Sequence, residues 1–235
     1  MLVSDVFGSA GDVTAVHRDG KVFLRKRRAG GDGVVLSPAQ VAHLEVQRRA
    51  LAAWRALDHS VQEVWNAYAV EVEPHRPPFD HSSWISGQNL FVSAYHGFYT
   101  LGREHVPEPV RFESFPSFVV SAVSASVEDG ALVLRLSVAG LELVEASRYW
   151  LNGRVQLTEA GKGLSSQVPK KSVLASGPCS ELPVSLVVED WRELWPALMG
   201  ASVFQVYGSF VLLDAVSGYR SQRKRMSGVV SLCEL

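Results

Sequence analysis

The sequence predicts an α+β protein: an N-terminal β-hairpin and a small helical unit, followed by an antiparallel β-sandwich of immunoglobulin or fibronectin type. Three observations carry this reading. Residues 37–69 combine helix-capping signals with a 3.6-residue apolar period. Asp19-Gly20 separates two runs rich in β-branched and aromatic residues, which is a hairpin signal. After Pro107 and Pro109 the apolar period changes to two. The expected divisions are an arm and glycine-rich joint over 1–36, a three-helix unit over 37–106 and the sandwich over 107–235.

The arm comes first. VTAVHRDGKVFLRK places Asp19-Gly20 where a two-residue turn needs positive φ at both central positions. Gly8 and Gly11 loosen the chain before it, and Gly30, Gly31 and Gly33 form a joint after it. A lone two-stranded hairpin is marginal in water, so this one needs a sheet, a helix or another subunit to lie on.

The helical unit starts at Ser37, which can cap a helix with Pro38 at its first position and Gln40 completing a capping box. Val41, Leu44, Leu51 and Trp54 then share a face expected to point to the core, with Glu45, Gln47, Arg48, Arg49 and Arg55 mostly opposite. Ser60 and Glu63 repeat the capping-box spacing before Val61, Val64, Trp65 and Tyr68, predicting a second helix after a tight connection. Pro74, Pro77 and Pro78 break regular structure. Ser86 caps a third helix whose apolar face includes Leu90, Phe91, Ala94, Tyr95 and Phe98, with Gly102 as its C-terminal stop. Trp54, Trp65, Tyr68, Phe91 and Tyr95 are the expected anchors of the helical core.

The sandwich is read from alternation. FVVSAVSASV and ALVLRLSVAG flank Glu128-Asp129-Gly130, and Leu132, Leu134, Leu136 and Val138 share one face. SRYWLNGRVQL is read as a second hairpin turning at Asn152-Gly153. Further strands are expected over 168–175, 182–188, 203–213 and 228–232. DWRELWPALMG, with Trp191, Leu194 and Leu198 at helical spacing, is expected to plug one end of the sandwich.

The order of these features resembles an uncharacterised family of small proteins encoded in bacteriophage and prophage structural-gene regions, including those of Bacteroidetes. The residues that carry the resemblance are FGSAGDVTAVHRDGKVFLRKR, the helix entry SPAQ, the W-x-x-L then W-x-x-Y-A spacing of AAWRALDHSVQEVWNAYA, and SGQNLFVSAY. It covers about the first 105 residues by motif order and the remainder by architecture alone. Members often carry an Ig-like or fibronectin-like C-terminal domain. The resemblance implies a virion component, a head, neck or tail accessory protein made in the host cytoplasm. Its implied partners are other virion proteins or repeated copies of itself, and it brings no catalytic residue.

Composition narrows the function classes. The chain has 235 residues, of which 47% are hydrophobic, so it can build real cores, and its net charge of −1 gives no global field toward nucleic acid or membrane. The opening MLVSDVFGSAGDV lacks the basic start and apolar run of a signal peptide, and no stretch approaches the roughly 20 apolar residues of a membrane span. No membrane insertion is expected. Cys179 and Cys233 have no metal-ligand spacing and read as free thiols.

Among the histidines, His75 and His81 with Asp80 are the densest group, but neither they nor His43, His59, His96 and His105 form the i, i+4 face of a helical zinc site. No nucleophile elbow, P-loop or dinucleotide fingerprint appears, so neither enzymatic activity nor a cofactor is expected. The basic run Lys21, Arg25, Lys26, Arg27 and Arg28 is the candidate assembly patch, with packaged DNA as a possible contact and a solvated strand edge as the plainer reading. Arg220, Arg223, Lys224 and Arg225 read as a solvated loop. A second function class is a host-glycan or receptor-binding module acting through the sandwich loops, which expects Tyr149, Trp150 and Tyr219 to be exposed at one end.

Overall fold

The structure, a computed structural model, describes residues 36–72, 85–141 and 146–232, with the backbones alone of 8–10, 13–18, 21–26 and Cys233. Strands β1 (Gly8–Ala10), β2 (Val13–Arg18) and β3 (Lys21–Lys26) form a three-stranded antiparallel sheet. Arg18 pairs with Lys21, so β2 and β3 are the two strands of the predicted hairpin, while Asp19 and Gly20 lie outside the described residues. Gly8 lies inside a strand rather than in a loosened lead, because its backbone is paired with Ala15. Gly11, Gly30, Gly31 and Gly33, and the Pro-rich segment with His75, Asp80 and His81, lie outside the described residues.

Helix α1 (Pro38–Ala56) carries the capping box as read: Gln40 N donates to Ser37 Oγ, and Ser37 N donates to Gln40 Oε1 at 2.8 Å. Its packed face differs from the expected one. Val46 and Ala50 are buried and Trp54 partly so, whereas Val41 and Leu44 are 53% and 40% exposed. The partner helix α3 (Gly87–Thr100) meets α1 along the row His43, Gln47, Ala50 and Trp54, and because His43 and Ala50 each lie one residue before the expected Leu44 and Leu51, Val41 and Leu44 are left outside.

Helix α2 (His59–Glu71) starts at Asp58, not at Ser60. Only Leu57 and Asp58 separate α1 from α2, so the turn is complete before Ser60 is reached, and Gln62 is drawn back to the carbonyls of Trp54 and Leu57. Helix α3 is capped by Ser86 and ends in a Schellman arrangement: Gly102 N donates to Tyr99 O and Arg103 N to Phe98 O. Trp65 and Phe91, both fully buried, meet edge to face at 5.5 Å in the centre of the helical core.

The C-terminal region is a single mixed sheet of seven strands. They are β4 (Val119–Glu128), β5 (Ala131–Ala139), β6 (Tyr149–Glu159), β7 (Lys171–Pro178), β8 (Val184–Val188), β9 (Val203–Asp214) and β10 (Lys224–Cys233). The spatial order is β7-β6-β9-β10-β4-β5-β8. Every neighbouring pair is antiparallel except β10 and β4, which run parallel where Leu232 and Cys233 meet Ala125 and Ser126. The two terminal strands approach one another, with Ser176 Oγ donating to Ser185 O at 3.2 Å, so the sheet curls into a near-barrel. Leu132, Leu134, Leu136 and Val138 face its core as the alternation predicts.

Asn152-Gly153 is not a turn. Strand β6 runs straight through it, with Asn152 paired to Leu174 and Val211, and Gly153 to Val173 and Phe210. The glycine serves a close approach: the buried Phe210 ring lies flat over Gly153 and Gly208, and a Cβ on either would sit little more than 2 Å from a ring carbon. Strand β7 starts three residues later than expected, since Val168 closes a turn onto Ser165 and the Pro169 carbonyl receives Trp195 Nε1. The helical turns Trp191–Leu194 and Pro196–Leu198 bury Trp191, Trp195 and Leu198 in the barrel core.

Candidate functional site

The helical unit and the near-barrel pack directly on each other, and the corner between β9 and β10 makes the joint. Asp214, at the end of β9, is buried and accepts from Arg148 Nε and Nη2 at 2.8 and 2.7 Å, from Ser217 Oγ and from the Val216 amide. Burial alone pushes its carboxyl up, but these donors together hold it below the ordinary carboxylate range. This network fixes the corner. Gly218, at φ +73°, then turns the chain so that its backbone seats against α3, where a Cβ on Gly97 would lie 1.8 Å from the Gly218 carbonyl oxygen.

Two side chains are delivered to the helices by that turn. Tyr219 enters the helical core, stacks on Phe112 at 5.7 Å and donates its hydroxyl to Val110 O at 2.6 Å. Arg220 Nη2 donates to His96 O at 3.0 Å and to Thr100 Oγ1 at 2.8 Å, so its guanidinium closes the last turn of α3. Arg220 is therefore mostly buried, not part of a solvated loop. The departure has a physical cause: Gly218 folds the chain inward two residues before the basic run begins. Arg223, Lys224 and Arg225 are exposed, but only Arg223 lies in the expected loop: Lys224 and Arg225 open β10, paired with Phe210 and Ser209.

Beside Arg220 a cleft of about 360 Å³ opens between the helices and the outer face of β6, β7 and β9. Its helical wall includes His43, Val46, His96 and Thr100, and its sheet wall Asn152, Arg154, Ser172 and Ser209, with Arg220 and Arg223 at one end. It continues into a second hollow along α1, bounded by Leu36, Ala39, Gln40 and Leu44 and again by His43, Arg154 and Ser172. The imidazoles of His43 and His96, 53 residues apart in sequence, stack at 4.9 Å between ring centres. His96 Nε2 is 2.9 Å from Gln47 Oε1. Burial, then His43 and Arg220, hold the His96 imidazole down to about 4, so it is neutral at pH 7. The cleft is thus lined by cations, imidazoles and hydroxyls. Among the described residues no hydroxyl hydrogen-bonds to an imidazole, and no group of three His, Cys, Asp or Glu side chains is placed to hold a metal ion.

The other sequence-chosen residues are placed as follows. Lys21, Arg25 and Lys26 lie on β3, an edge of the N-terminal sheet, while Arg27 and Arg28 lie outside the described residues. Trp65 and Phe91 are fully buried, and Trp54, Tyr68 and Tyr95 are partly buried around them. Tyr149 and Tyr219 are 6% and 3% exposed and Trp150 is half-buried, so these rings do not form the exposed platform a glycan site needs. Cys179 is a buried free thiol whose pKa burial pushes up to about 12. No described helix is long and apolar enough to cross a membrane.

Sequence reasoning missed the cleft because its residues come from α1, α3, three strands and a loop, and no spacing rule joins them. The one signal was Gly218-Tyr219-Arg220, where a glycine precedes an aromatic and a cation that the fold turns inward. Compared with known proteins, the chain matches no family model and no curated protein.

Proposed function

We propose that the chain is a non-enzymatic assembly component of a phage-like particle, a capsid, neck or tail accessory protein present in repeated copies. The observation that carries this reading is that, among the described residues, β1, β2 and β3 pair only with one another in a sheet that shares no strand with the near-barrel. Such a sheet has two edges with unpaired backbone donors and acceptors, and a strand of a neighbouring subunit can complete either one. Edge strand β3 carries Lys21, Arg25 and Lys26, which suit an acidic neighbour or packaged DNA. The order of motifs in residues 8–95 supports the phage-like setting.

The strand order also supports an immunoglobulin- or fibronectin-like scaffold. It divides naturally into β4-β5-β8 and β7-β6-β9-β10, three strands and four, with the β10–β4 contact closing one side. In this reading the welded helix–barrel body is the rigid part and the N-terminal sheet is the connector. Deleting residues 1–36 tests it. The truncated protein is expected to melt within a few degrees of the full chain while losing self-association in sedimentation velocity and incorporation into particles. Normal incorporation of the truncated protein would falsify the proposal.

A further inference from the structure

The cleft between the helices and the near-barrel has a charge pattern that the assembly role does not require. Four arginines of the described structure face a carboxylate: Arg49 meets Glu45, Arg111 meets Glu71, Arg135 meets Glu128, and Arg148 meets Asp214 and Glu113. Arg154, Arg220 and Arg223 line one cleft, and among the described residues no Asp or Glu lines either it or the adjoining hollow. Arg220 is held in place by α3 through a single nitrogen, Nη2, and its Nε is buried without an acceptor. A buried donor left unsatisfied is costly, the more so on a charged group, so this N–H is a place where an incoming acceptor gains. Burial and repulsion from Arg223 already lower the proton affinity of Arg220, which an anion would restore.

We propose that this cleft binds a small phosphate monoester, with the phosphate among Arg154, Arg220 and Arg223 and the organic part lying along the hollow of Leu36, Ala39 and Leu44. Three cations with no carboxylate partner among the described residues match a dianion better than the single charge of a carboxylate. The cations approach from two walls, so they suit a tetrahedral group more than a planar one. Ser172, Ser209, Thr100 and the Asn152 amide supply neutral hydrogen-bonding groups around them. The volume of about 360 Å³ falls in the usual range of small-ligand pockets. The adjoining apolar residues favour a compact ester over a nucleic-acid strand, which needs a continued basic track. The site is independent of the N-terminal sheet, so this proposal and the assembly reading stand or fall separately.

Isothermal titration calorimetry on the full chain with phenyl phosphate, inorganic phosphate and benzoate tests it. Phenyl phosphate is expected to bind most tightly, inorganic phosphate less so, and benzoate at least about tenfold more weakly than the ester. Arg154 and Arg223 are exposed and make no structural hydrogen bond among the described residues, so R154Q and R223Q leave the fold intact. Each is expected to weaken phenyl phosphate about tenfold or more with an unchanged melting temperature. No heat from either phosphate at about 10 mM, or binding that survives both substitutions, overturns the site. Benzoate binding as tightly as the ester overturns the phosphate assignment. A single-stranded oligonucleotide binding far more tightly than the ester, and lost in R154Q, overturns the small ligand in favour of nucleic acid.

Discussion

The two hydrophobic cores differ in how far each closes on itself. The barrel core is drawn entirely from residues 118–230, with Phe210, Leu132, Leu134, Leu151 and Leu212 at its centre, and it needs nothing from the helices. The helical core is much smaller, and one of its buried members, Tyr219, belongs to the β9–β10 corner. Phe112 and Phe115, from the segment that joins the two regions, also pack on it. A few dozen residues cannot bury enough surface to stand alone, so the helical unit borrows part of its core from the barrel. The dependence runs one way, which is the asymmetry expected of a small unit grafted on a self-sufficient scaffold.

Separating the regions is the strongest way to break that comparison. Residues 107–235 expressed alone are expected to unfold cooperatively, with most of the native β signal in circular dichroism, whereas residues 37–106 alone are expected to be unfolded or molten. A stable, cooperatively melting helical fragment would show that Tyr219 is incidental. A smaller intervention at the seam is Gly97→Val. The added side chain meets the Gly218 carbonyl, carbon and Cα, and because these are backbone atoms on both sides neither helix nor corner can yield cheaply. The expected cost is about 3 kcal/mol in urea denaturation, falling on the helical signal first. Gly163→Ala is the matched control: its Cβ would meet open space and its φ is not in the left-handed region, so the change should be neutral or stabilise by less than about 1 kcal/mol.

The two regions also differ in how they can be read from sequence. The helix starts at Ser37 and Ser86 are local events, decided by a hydroxyl and an amide three residues apart, and both are found where their spacing places them. The start of α2 failed because the competing claim on Gln62, from the carbonyls closing α1, depends on a neighbouring helix. Asp129-Gly130 and Asn152-Gly153 carry the same turn signal, yet only the first turns, with both residues at positive φ. The second is overruled by Phe210, 57 positions away, whose ring needs a residue without a side chain beneath it. Alternation in Leu132 to Val138 fixed a core face, but whether seven strands make one curled sheet or two flat ones depends on the single β10–β4 contact. The cleft was least legible of all, since His43, His96, Arg154 and Arg220 are neighbours only after every element is in place.

The finest test of the comparison uses pH, because the seam carries a histidine and the barrel core has none. His96 lies on α3 at the cleft, stacked on His43, bonded to Gln47 and close to the Arg220 guanidinium, so protonating it adds charge beside charge. Its folded value of about 4 lies below the ordinary 6.5, and the folded state therefore disfavours the protonated form. The sign follows: the associated stability is fully present above about pH 6.5 and is lost progressively as pH falls toward 4. Asp214, whose carboxyl is held low, contributes in a lower window, since its stabilisation is retained until pH drops below the ordinary carboxylate range. Between pH 7 and pH 5 the loss should thus come from the seam and be modest, because His96 is half exposed and partly screened. The helical signal is expected to melt a few degrees earlier at pH 5 while the near-ultraviolet signal of the barrel tryptophans Trp191 and Trp195 holds, and H96N should flatten that shift. A simultaneous loss of both signals would mean that the seam and the barrel core unfold as one unit, and the asymmetry between the two regions would then be one of composition without independence.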